Sequence, residues 1–158
     1  MSNRRRLVGI SAALWLLTLT CIAVGAEPVL DLATFAQSSV DIGKPPRSQH
    51  FDVWIADTAA RQTQGLMFVR DLPASRGMLF LEHEPRPTAF WMKNTYIELD
   101  MLFIGPDHRI VKIAAKAPPL SLATIDSDAP VIAVLEIKGG EAARRGIRVG
   151  DKVSWPEA

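Results

Sequence analysis

Lys93, Asn94 and Asp100 interrupt one of the most apolar stretches of the chain, Ala-Phe-Trp-Met-Lys-Asn-Thr-Tyr-Ile-Glu-Leu-Asp-Met-Leu-Phe-Ile from Ala89 to Ile104. An ammonium, a carboxamide and a carboxylate close together can hold a polar ligand such as a sugar or a peptide terminus. The same groups can instead serve the fold. An unpaired buried carboxylate costs several kcal/mol or is driven neutral, so Asp100 needs a partner. Arg61, Arg70 or Lys93 can supply one, while Asn94 and Thr95 can satisfy the backbone of a turn. Arg61 and Arg70 can also grip a carboxylate or phosphate bidentately, or pin a helix to Asp100 or Glu136. Trp91 is a stacking platform if its side of the strand is wet. Its place between Phe90 and Met92 favours the core.

Other chemistries are weakly supported. Asp100 and Glu136 form a glycosidase pair only if their carboxyls lie about 5–10 Å apart across an open cleft. His50, His83 and His108 are scattered, and Glu82-His83-Glu84 points to alternate faces of a strand, so no metal and no cofactor is expected. No Gly-x-Ser-x-Gly elbow occurs. Cys21 is the only cysteine. A chain cleaved beyond it therefore has no disulfide, thiolate metal site or cysteine nucleophile. Gly140 to Asp151 looks locally like the end of a peptide-binding PDZ domain, but the carboxylate-binding loop of such a domain is absent. Gly146 and Gly150 read as turn residues.

Arg4, Arg5 and Arg6 precede an uncharged run from Leu7 to Val24, and Val24-Gly25-Ala26 offers a signal-peptidase site. The expectation is export, with cleavage after Ala26 and a periplasmic or secreted product. The run is also just long enough for an uncleaved anchor, Cys21 is an alternative lipidation site, and the paired arginines leave the twin-arginine route open. The formal charge of +1 includes those three arginines, so the remainder is slightly acidic. No nucleic-acid partner is expected, and a membrane enters only through the leading segment.

The elements that must position these groups are short. Residues 27–47 read as an arm and linker with at most an edge strand, and 48–158 as one domain. Alternation from His50 to Ala56 predicts a half-buried strand. Asp57 or Thr58 is placed to cap a helix ending at Gly65. Further strands are expected at 77–81, 90–92, 99–104, 109–115, 131–137 and 152–155, with 99–104 and 109–115 joined as a hairpin and a helical turn at 141–145. Many short strands and two brief helices predict a mainly β fold, a single antiparallel β-sandwich or barrel.

Several blocks together carry a resemblance. They are Arg61-Gln62, Gln64-Gly65-Leu66-Met67 with Arg70, Gly77-Met78-Leu79-Phe80, Phe90-Trp91-Met92-Lys93-Asn94-Thr95, Leu99 to Ile104, Val134-Leu135-Glu136, Gly146-Ile147 and Gly150-Asp151. Over residues 50–155 the chain resembles the domain-of-unknown-function family numbered 192, found mostly in bacteria and archaea and often behind a signal peptide. The resemblance implies a compact, mainly β fold and no particular activity. Glu98 stands where a proline is common, and Ala60 where an acidic or amide residue often precedes the arginine.

The resulting expectation is an exported β-domain that binds a polar ligand or an envelope partner without performing chemistry. Its surface would comprise Arg61, Arg70, Lys93, Asn94, Asp100 and Glu136. The rival is a hydrolase or lyase acting on envelope carbohydrate, with Asp100 and Glu136 as acid and base.

Overall fold

All six residues of strand β5, Leu99–Ile104, are buried, which requires a sheet covered on both faces. A computed structural model describes residues 29–156. The proposed signal segment, its cleavage point and Cys21 lie outside them. The chain forms β1 (Gln37–Ile42), β2 (Gln49–Ala56), α1 (Ala59–Gln64), β3 (Arg76–Arg86), β4 (Ala89–Phe90) and β5. It continues through β6 (Ile110–Ala117), β7 (Ile125–Asp126), β8 (Val131–Lys138), α2 (Glu141–Arg144) and β9 (Val153–Ser154).

Seven strands make one sheet in the order β6-β5-β8-β3-β2-β1-β9, and β4 pairs with β7 beside it. The sheet curls into a half-barrel whose edge strands approach at one corner. There Arg109 bridges to Lys152, Ile110 N–H donates to the Asp151 carbonyl at 3.0 Å, and Val153 N–H donates to the His108 carbonyl at 2.8 Å.

One face of the sheet packs Val40, Phe51, Val53, Leu79, Leu102, Leu135 and Ile137 against one another, with Ala142 of α2 and Ile147 also packed there. The other face carries Met78, Phe80, Met101, Phe103 and Val134, and loop residues Leu66, Leu72 and Met92 cover it. In β5 the two sets alternate, so Leu102 and Ile104 belong to the first face and Leu99, Met101 and Phe103 to the second.

The mainly β class and the 99–104/109–115 hairpin agree with the sequence reading. Three features differ. First, the sheet is not wholly antiparallel: β2 and β3 run parallel, from Asp52 opposite Arg76 to Ala56 opposite Phe80, because α1 and the loop after it return the chain to the same end. Second, residues 37–42 are a paired strand between β2 and β9 rather than linker, anchored by buried Val40 and Ile42. Third, 90–92 is not a core strand beside β5. Only Ala89 and Phe90 pair, with β7, and the chain then loops from Trp91 to Glu98.

Helix α1 is short and depends on its ends. The Thr58 hydroxyl accepts from Arg61 N–H at 3.3 Å, and Gly65 closes the helix at φ 49°. Thr58→Ala should therefore lower stability by about 1 kcal/mol in urea unfolding. A change indistinguishable from zero would show that tertiary contacts alone hold α1.

Candidate functional site

The residues singled out in the sequence do not form one cluster. Asp100 is fully buried and is satisfied by backbone alone. Its Oδ1 accepts from Lys116 N–H at 2.8 Å and Gly140 N–H at 2.9 Å, and its Oδ2 accepts from Ala142 N–H at 2.9 Å. No arginine or lysine is its hydrogen-bond partner, contrary to expectation. The carboxylate ties β5 to β6 and to the first turn of α2, where free N–H groups favour a negative charge.

Arg61 is likewise committed to the fold. It donates to Asp57 at 2.7 Å and to the Thr34 carbonyl at 3.1 Å, and lies 5.3 Å from the Phe35 ring centroid. Asp57 thus supplies the carboxylate that Ala60 does not. Arg70 is exposed and rests 4.7 Å over the Tyr96 ring. Asn94 adopts φ 55°, its carbonyl accepts from Phe68 N–H at 2.8 Å, and its amide reaches Met67 Sδ at 3.8 Å. Its role is to shape a turn.

Lys93 and Glu136 do meet at a common feature, a cleft of about 340 Å³ on the second face of the sheet. Its walls include Gln62, Gly65 and Met67 from α1 and the turn after it, Phe80, Glu82 and Arg86 from β3, and Phe90, Trp91, Lys93 and Thr95 from β4 and the loop after it. Glu136 lies among these lining residues. Most of the walls come from the blocks that carry the family resemblance.

Glu136 is 4% exposed, and its Oε2 has no hydrogen-bond partner among the described residues. Its register explains the position. Glu136 stands opposite Met78 on β3 and Met101 on β5, both fully buried, so two thioether side chains flank the carboxyl. Burial alone pushes that carboxyl from its ordinary 4.5 up to about 8, and at neutral pH it holds its proton. The backbone is equally tight here: a Cβ on Gly77 would sit 2.4 Å from the Glu136 carbonyl oxygen.

Other lining residues add charge and an aromatic surface. Glu82 pairs with Arg86 at 2.5 Å. Trp91 is 44% exposed, and the Lys93 ammonium lies 5.1 Å from its ring centroid. The core placement expected for Trp91 fails because residues 91–98 leave the sheet, so the strand alternation does not reach them. Gln62 Nε2 donates to the Leu81 carbonyl at 2.7 Å, which fixes the side chain over this region.

This arrangement removes the paired-carboxylate reading. Asp100 pairs in register with Ile137 and Glu136 with Met101, so the two acids project from opposite faces of the sheet and cannot flank one bond. Among the described residues no group of three potential ligands could hold a metal. The sequence signals for the remaining lining residues were slight. Glu82, Arg86 and Gln62 are ordinary surface types, and only the long-range antiparallel β3–β8 pairing, with α1 laid over β3, brings them to the same cleft as Glu136.

The family described as Uncharacterized ACR (DUF192) matches residues 41–155. Among solved structures, a protein of unknown function from Novosphingobium aromaticivorans is 40% identical, with TM-score 0.76, over 84% of this chain and 94% of that one. A protein from Sinorhizobium meliloti, proposed to be a transcription regulator, is also 40% identical, with TM-score 0.74, over 77% of this chain and 95% of that one. No curated protein matches.

Proposed function

The chain belongs to the DUF192 family, which by itself fixes no activity, and from that premise we propose that it is an exported domain binding a small polar ligand in the Glu136 cleft. One observation carries this reading: a buried carboxyl without a partner lines an open cleft. A protein that only needed to fold would gain by placing an apolar residue there. Ligand-binding cavities, by contrast, are largely apolar with a few placed polar groups.

The lining groups set the ligand class. Protonated Glu136 offers an O–H donor to a hydroxyl or carbonyl oxygen. Lys93 offers a cation beside the exposed Trp91 ring, and Arg86, although paired with Glu82, leaves most of its side chain in solvent. With Glu136 neutral, the cleft carries one net positive charge. An oxygen-rich ring bearing one carboxylate, a sugar acid, satisfies all three. The other carboxylate of the cleft, Glu82, is committed to its pair with Arg86, which favours binding over hydrolysis. Export rests on the arginine-led apolar segment at Leu7–Val24.

Titrating the full chain with glucuronate, glucose and succinate by calorimetry separates these features. Glucuronate should bind most tightly, and Lys93→Ala should weaken it about tenfold or more. If none of the three binds, or if Lys93→Ala and Glu136→Gln bind as the parent does, the cleft is not the site.

A further inference from the structure

Five of the large apolar side chains exposed among the described residues come from three neighbouring loops: Phe68, Trp91, Tyr96, Leu120 and Leu122. The loops are laced together by backbone. Phe68 N–H donates to the Asn94 carbonyl at 2.8 Å, Leu120 N–H to the Thr95 carbonyl at 3.0 Å, and Met92 N–H to the Ser121 carbonyl at 3.0 Å. Phe68 and Tyr96 meet edge to face at 6.2 Å. Leu122, the most exposed, is 67% accessible.

Three of these residues hold unusual backbone. Phe68, Asn94 and Leu120 take φ values of 67°, 55° and 62°. Asparagine tolerates that region, but phenylalanine and leucine are strained there, and strain of this kind is held where function needs it. The conformation costs free energy, and it leaves both apolar side chains exposed in water.

Charge is equally one-sided. The stretches 66–70, 91–97 and 117–123 contain Arg70 and Lys93 and not one aspartate or glutamate. Each cation lies over an exposed aromatic ring, Arg70 at 4.7 Å from the Tyr96 centroid and Lys93 at 5.1 Å from that of Trp91. Two acids directly flank these stretches: Asp71, paired with Lys138 at 3.5 Å, and Glu98, which is exposed.

We infer that this three-loop face docks onto an anionic lipid bilayer. Tryptophan and tyrosine favour the headgroup level, leucine and phenylalanine the acyl boundary just beneath it, and lysine and arginine the lipid phosphates. Within the three loops themselves, two cations and no carboxylate fit a uniformly negative partner better than a protein surface of mixed sign, with Asp71 and Glu98 at the margin. No helix among the described residues is long and apolar enough to cross a membrane, so this face rests on the bilayer rather than spanning it. The inference does not depend on ligand binding at Glu136, although Trp91 and Lys93 border both surfaces.

The test uses the full chain with Cys21→Ser and an environment-sensitive fluorophore on Leu122→Cys, in vesicles of phosphatidylcholine with or without phosphatidylglycerol. A second chain is labelled at Val149→Cys, which is exposed but lies outside the three loops. Label 122 should shift to the blue and be quenched by spin-labelled lipid when phosphatidylglycerol is present, while label 149 stays aqueous. Adding Arg70→Gln should lower the embedded-to-aqueous ratio roughly fivefold. A label at 122 that stays aqueous on anionic vesicles overturns the inference. Shielding of label 122 in native envelope vesicles but not on protein-free lipid assigns the face to a protein partner and overturns it equally. Because the readout is local, membrane attachment through the leading segment moves neither label.

Discussion

Glu136→Gln is expected to raise the stability of the protein at pH 7 and at the same time to weaken binding in the cleft, where an amide N–H replaces the carboxylic O–H donor. The sign follows from the carboxyl's position. In the unfolded chain it titrates near its ordinary 4.5, whereas in the folded protein it keeps its proton up to about 8. Below pH 4.5 both states are protonated and the group leaves folding unaffected. As the pH rises towards 8 the unfolded chain releases a proton that the folded one retains, so stability falls, by up to about 1.4 kcal/mol per pH unit. At pH 7 the accumulated penalty is roughly 3 kcal/mol. Glutamine is close in shape and does not ionise, so the variant should recover most of that amount at pH 7 and almost none at pH 4. Thermal melts of both proteins across this range measure the difference directly. Equal pH profiles would mean that Glu136 is solvated or paired in solution. A more stable variant that binds ligand less tightly is the signature of a residue placed for binding at the expense of stability.

Asp100→Ala should do the reverse and lower stability by roughly 3–5 kcal/mol. The substitution strands three N–H groups, those of Lys116 and Gly140, part-buried, and of Ala142, buried, each of which loses a charge-assisted hydrogen bond. Asp100→Asn should be only partly better, since a carboxamide keeps one acceptor oxygen where the carboxylate has two. Amide exchange should locate the damage. Protection at Gly140 and Ala142 should fall most, while β2 and β3 keep theirs until global unfolding. A loss below 1 kcal/mol would show that water replaces the carboxylate at this corner. Because Asp100 lies on the face of the sheet away from the cleft, ligand affinity in the fraction that remains folded should not change.

These two acids show what the sequence conveys and what it withholds. Asp100 is conspicuous in a run of leucine, methionine and phenylalanine, and its need for a partner follows from elementary desolvation. Its partners are backbone amides at 116, 140 and 142, which leave no mark in side-chain identity, so an arginine was the natural but mistaken expectation. Glu136 stands in a plain β-strand, Val131–Lys138, and the strand itself was legible in the sequence. That its carboxyl lies among the residues of a cleft depends on β3 and β5 lying to either side, and the parallel β2–β3 pairing that helps to build the cleft is a long-range event.

Local signals fared better where the physics is local. The Thr58 and Gly65 caps frame α1, and the turn between Ile104 and Ile110 sets the β5–β6 hairpin. Trp91 was misplaced because alternation was extended past Phe90, where strand pairing ends. Residues 37–42 look like linker because serine, glutamine and aspartate outnumber their apolar neighbours. Val40 and Ile42 alone commit them to the sheet.

The protonation state of Glu136 underlies the proposed ligand class, and it can be observed without knowing the ligand. Carbon-13 NMR of the glutamate carboxyls, with Glu136→Gln to assign the resonance, should show one carboxyl titrating near pH 8 in the ligand-free protein. If every glutamate carboxyl titrates below about pH 5, the cleft has no buried neutral acid, and the reading of this site is wrong.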